Sequence, residues 1–127
     1  MRTKTDPDPT TQTATQTATA VQSHQENVVC PVARTAEIVA GKWTLLIIRD
    51  LATGTKRFSE LERLLHGISP KTLSERLSTL EAEGVLRRKM YAEVPPKVEY
   101  SLTEKGRDLV AVVESMREFG KRWLMCQ

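Results

Sequence analysis

Long apolar runs are missing from this chain of 127 residues. The longest aliphatic stretch, Leu45 to Ile48, is far short of the roughly 20 residues a membrane-spanning helix needs, and the opening residues carry no apolar core of a secretory signal. No membrane partner is expected, and the protein is expected in the cytoplasm. Cysteine is scarce as well. Cys30 and Cys126 are too few for a disulfide framework or a zinc cage, and the two histidines have no metal-like spacing with them, so no metal and no cofactor is expected. Nucleophile elbow, phosphate loop and Cys/His pair are likewise missing, so no catalytic residue is assigned and an enzyme is the least supported reading. A strong net charge is also lacking: 19 Lys and Arg stand against 16 Asp and Glu, a balance that permits nucleic-acid binding without demanding it.

What is present is unevenly distributed. Residues 1–29 are mostly Thr, Gln and Ala with almost no large apolar side chain, the composition of a disordered tail. Removing its Arg2, Lys4, Asp6, Asp8 and Glu26 leaves 17 basic against 13 acidic residues, so the basic excess lies in residues 30–127, which have the length of one domain. Cys30-Pro31 opens a first helix with Val32, Ala36, Ile38 and Val39 on one side, closed by Gly41. Lys42 to Thr53 follows as a second helix, apolar on nearly every side, with Trp43 as a core anchor. Ser59 to Glu62 has the spacing of a capping box and starts a third helix carrying Leu61, Leu64 and Leu65.

The most informative stretch is Ser69 to Gly84. Ser69 is a good N-cap, Pro70 suits the first helical position, Leu73, Leu77 and Leu80 form one apolar stripe, and Gly84 suits a helix end. The opposite face holds Lys71, Glu75, Ser78 and Thr79, flanked by Thr72 and Ser74. Taken alone it is either an ordinary surface helix or one shaped for a DNA major groove. Its neighbours favour the second reading, because a helix, a short glycine-containing turn and a helix make a helix-turn-helix. Beyond Gly84 the period becomes two: Val85 to Tyr91 and Lys97 to Leu102 predict a hairpin with Leu86, Met90, Val98, Tyr100 and Leu102 inward. The fold class is therefore α+β, mainly helical, a winged helix-turn-helix whose wing brings Arg87, Arg88, Lys89 and Lys97 toward phosphates. Thr103 is expected to cap a terminal helix on which Leu109, Val112, Met116, Phe119, Trp123 and Cys126 step by three and four, the seam of a helix that covers a second subunit.

From Cys30 to about Leu124 the chain resembles the HxlR-type winged-helix transcription regulators of bacteria, which are MarR-like. The matching pieces are C-P-V at Cys30, G-K-W-T-L-L-I-I from Gly41, R-F-S-E-L from Arg57 and G-I-S-P-K-T-L-S-E-R-L from Gly67. L-E-A-E-G from Leu80, V-P-P-K-V-E-Y-S-L-T-E-K-G from Val94 and F-G-K-R-W from Phe119 complete the ordered set. The resemblance implies a homodimer on double-stranded DNA, its terminal helices paired through Leu109, Val112, Met116, Phe119 and Trp123, with a near-palindromic operator. It assigns Lys71, Thr72, Ser74, Glu75, Ser78 and Thr79 to the bases and Ser69, Arg57, Arg76, Arg88 and Lys97 to the backbone or minor groove. Arg76 turns toward the leucine stripe, and Glu75 either accepts from a cytosine or pairs with Lys71. Some relatives sense electrophiles or oxidants through a cysteine at the position of Cys30, with Cys126 as a second thiol here; a small-molecule or electrophile effector is thus implied. The rival reading is a winged helix used for protein contacts without specific DNA binding.

Overall fold

A computed structural model gives the structure of residues 30–125. The expected tail, residues 1–29, and Cys126 lie outside the described residues. The fold divides after Val39. Before the division stands α1 (Pro31–Ile38), with Cys30 at its N-cap and the proline in its first turn. It buries no residue, and Val32, expected on an apolar side, is 77% exposed.

After the division the order is α2 (Lys42–Leu51), β1 (Lys56–Arg57), α3 (Phe58–Leu64), α4 (Pro70–Ala82), β2 (Leu86–Tyr91), β3 (Lys97–Leu102), α5 (Glu104–Asp108) and α6 (Val110–Trp123). The three strands form an antiparallel sheet in the order β1-β3-β2. The core is aliphatic: Ile47, Ile48 and Leu51 of α2 meet Leu61 and Leu65, the Leu73, Leu77 and Leu80 stripe of α4, Val85, and Leu86 and Leu102 of the hairpin. Burying each such side chain contributes about 1.5–3 kcal/mol. Trp43 is not the anchor its size suggested; it is half-buried, with the Lys42 ammonium 4.5 Å from its ring centre. Nor is α2 enclosed on all sides, since Leu45 and Leu46 remain half-exposed.

Both ends of α4 are chemically closed. The Ser69 hydroxyl accepts from the Thr72 N–H at 3.0 Å, a cap worth about 1 kcal/mol. At the other end Gly84, with φ of 78°, lets its own N–H reach the Glu81 carbonyl and the Val85 N–H reach that of Leu80, the double bond of a Schellman ending. The carbonyls left over are taken by α5's leading residues: Lys105 donates to Glu83, and the Thr103 hydroxyl to Gly84.

Three expected boundaries shift. The box at the start of α3 lies two residues upstream: the backbone N–H of Arg57, not Ser59, donates to the Glu60 carboxylate at 2.7 Å, because the helix already begins at Phe58. Thr103 does cap a helix, its hydroxyl accepting from the Gly106 N–H, but that helix is only α5, and a turn at Leu109 separates it from α6. On the hairpin, Met90 points outward and is 58% exposed, because β2 has left the helical body by that residue.

Candidate nucleic-acid interface

At 100° per residue the leucine stripe turns Lys71, Glu75, Ser78 and Thr79 away from the core, and all four are exposed. Neither Lys71 nor Glu75 has an ion-pair partner among the described residues, so the i,i+4 pair that competed with a base contact is not formed. The hydroxyls divide by partner. That of Thr72 accepts from the Ser69 hydroxyl at 3.0 Å and belongs to the helix cap, while that of Thr79 donates to the Glu75 carbonyl at 3.0 Å. Those of Ser74 and Ser78 have no hydrogen-bond partner among the described residues. They lie on the flank facing the hairpin and, with Glu81, form one wall of a polar groove of about 390 Å³ whose other wall is Arg88 and Tyr100.

The expected cations separate into engaged and available ones. Arg57 is exposed at the junction of β1 and α3, and Arg88 is exposed on the central stretch of β2, opposite Tyr100. Arg76 is half-buried and its Nε is sequestered without a hydrogen-bond partner, which agrees with its place toward the leucine stripe. Lys97 is held inside the wing: its ammonium lies 3.6 Å from Glu99, 3.9 Å from Glu93 and 4.5 Å from the centre of the Tyr91 ring. The exposed positive edge of the wing is Arg87, Arg88 and Lys89 along β2, with the Lys89 ammonium 4.9 Å from the centre of the Tyr91 ring. The run Arg87-Arg88-Lys89 marks this basic edge, and strand alternation puts Arg88 on the face of Leu86, the side toward α4.

Of the seam residues, Leu109 is only 9% exposed and packs in its own chain's core, because it occupies the turn between α5 and α6. Val112, Met116, Phe119 and Trp123 run along α6 in steps of four, three and four, and Phe119 and Trp123 are 59% and 65% exposed. Ion pairs Arg117–Glu114 and Lys121–Glu118 flank them. Cys30 is a half-buried free thiol. No cluster of His, Cys, Asp and Glu fit for a metal occurs among the described residues, and no described helix is long and apolar enough to cross a membrane.

A polar-faced helix behind a tight turn and beside a basic two-stranded wing defines the protein as a winged helix-turn-helix. The chain belongs to the HxlR-like helix-turn-helix family, whose model matches residues 38–127. Over 96 residues it is 41% identical to an uncharacterised HTH-type transcriptional regulator of Synechocystis, covering 76% of this chain and 71% of that one. Among solved structures, a protein of Porphyromonas gingivalis W83 described as a MarR-family transcriptional regulator superposes with a TM-score of 0.73. It is 43% identical and covers 76% of this chain and 94% of its own. The redox regulator HypR in its oxidised form superposes with a TM-score of 0.72 at 41% identity, covering 76% of this chain and all of its own. The chain is thus a helix-turn-helix transcription regulator rather than an enzyme.

Proposed function

We propose that the protein is a cytoplasmic homodimer that binds double-stranded DNA at a near-palindromic operator, one α4 entering the major groove of each half-site. The observation that carries this reading is the continuity of the exposed arc of α4 with Arg88 across a polar groove. Such a surface follows a groove edge from bases to backbone. In this reading Lys71, Glu75, Ser78 and Thr79 face base edges. Ser69, Arg57 and Arg88 meet phosphates, and Ser74 serves the boundary between the two. Thr72 acts through the cap, Arg76 through its packed stem, and Lys97 by bracing Tyr91.

The test is a mobility shift on the region upstream of the protein's own gene. Binding is expected to weaken with salt at a log–log slope near −0.9 per phosphate contacted. Lys71→Ala is expected to lose about 1–3 kcal/mol at the cognate site and to relax the preference for it. A shallow slope, or an unchanged preference between sequences in that variant, overturns the assignment and leaves the protein-contact reading.

The thiol response is the second part of the proposal. It is supported by the free Cys30 at the N-cap of α1 and by the likeness to HypR, a redox regulator solved in oxidised and reduced forms. Mild oxidant is expected to form a species on non-reducing gels that Cys30→Ser lacks, and to change operator affinity in the wild type alone. A Cys30 that stays unreacted removes this part while leaving the DNA-binding part standing.

A further inference from the structure

A second cleft on the α2-to-α6 unit lies away from the DNA-facing side. It opens where the last turn of α2, the end of β3 and the start of α6 meet, holds about 460 Å³, and has a mixed lining. Leu51, Ala52, Leu102 and Val110 make an apolar floor, and Thr55, Ser101 and Arg107 bring two hydroxyls and a guanidinium to it. The arginine is fixed in place: its Nη1 donates to the Leu102 carbonyl at 3.1 Å, which holds the guanidinium at the cleft and leaves its other N–H groups to donate. Among the described residues no carboxylate pairs with Arg107 and neither hydroxyl has a hydrogen-bond partner.

We propose that this cleft binds a small organic acid: a carboxylate held by Arg107, Thr55 and Ser101, with an aromatic or branched aliphatic body on the Leu51–Val110 floor. The volume is in the range of small-ligand sites, and a few fixed polar groups beside an apolar floor are what such sites present. The charge decides the ligand's sign, since a planar guanidinium matches a carboxylate with two parallel hydrogen bonds. Place decides the consequence. Val110 begins the helix bearing the apolar seam, Ser101 lies one residue along the strand from Tyr100 of the DNA-facing groove, and Thr103, Lys105 and Gly106 close the end of α4. A ligand bridging these elements biases the angle between α6 and α4, which makes the site an effector site of the regulator proposed above.

Titration of the full-length protein, without DNA, by backbone amide NMR tests the cleft independently of that reading. Benzoate is the probe and neutral benzamide the control. Benzoate is expected to give saturable shifts centred on Thr55, Ser101, Arg107 and Val110, with benzamide at least about tenfold weaker, as a charge-assisted contact requires. Arg107→Gln is expected to lose benzoate binding by a similar factor. Because that variant also removes the Leu102 bond, Ala52→Phe provides a second route: it fills the floor, leaves Arg107 in place and is expected to abolish the shifts. Non-saturating or scattered shifts, equal affinity for benzamide, or full binding in Ala52→Phe overturns the proposal. Failure of the mobility shift with cleft binding intact overturns only the regulator role.

Discussion

Gly106→Ala is expected to cost about 3 kcal/mol of stability and to lower Tm by more than about 10 °C, although Gly106 lies on neither the polar face of α4 nor the apolar seam. Gly106 is buried in the first turn of α5, and a methyl group built on it overlaps the carbonyl oxygen of Val85 and lies 3.1 Å from Leu102 Cδ2. The obstacle is backbone, which a rotamer change cannot clear. Nor can Val85 step aside, since its N–H closes the Schellman ending of α4 on Leu80 and its carbonyl accepts from the Thr103 N–H at 3.0 Å. Displacing it opens the end of α4 and the start of β2 together. Circular-dichroism melting of the variant measures the cost directly. A Tm within about 3 °C of the wild type would mean that α5 can slide away from α4, and that the two are not tied as their hydrogen bonds indicate.

The same neighbourhood shows where sequence reading succeeds and stops. Ser69, Pro70, the Leu73–Leu77–Leu80 stripe and Gly84 are legible because each signal acts within a turn or two of its own position. The hairpin is legible for the same reason, and its ends fall within a residue of those expected. By contrast β1 is two residues long and has no period to detect; it exists because the outer edge of β3 offers Glu99 and Tyr100 as partners for Arg57 and Lys56. Gly106 sits in a helical pattern without any turn signal, and its reason lies some twenty residues away at Val85. Lys97 reads as an outward wing cation from the two-residue period, whereas it is held by Glu99 two residues along its own strand, by Glu93 in the loop and by Tyr91 on the paired strand. The exposed polar face of α4 was therefore readable from helical period. The sorting of its cations into available and engaged ones depended on contacts between elements.

If the proposed dimer forms through α6, Phe119→Glu is expected to turn it into a monomer and to weaken binding to the proposed operator by a factor on the order of 10² to 10⁴, the second large effect. The four residues Val112, Met116, Phe119 and Trp123 follow the alternating four-three spacing of a two-helix seam, with charged pairs on both sides. All four remain exposed in the single chain, and an exposed apolar row of this length on a small domain is the mark of a partner surface. In a two-fold dimer each copy brings the same substitution to the same interface, so two carboxylates are desolvated together near the seam. The chain's own fold is expected to survive, because Phe119 is 59% exposed and lies outside the core that holds α2 to α5. Sedimentation equilibrium should then give the monomer mass with an unchanged far-ultraviolet spectrum. The loss of affinity follows from valency: a dimer that has docked one α4 presents the second at high local concentration, whereas a monomer must bind each half-site afresh. A variant that remains dimeric with unchanged operator affinity would move the subunit contact away from this seam. A monomer that binds the full operator as tightly as the wild type would instead show that one recognition helix suffices, contrary to the two-half-site mode.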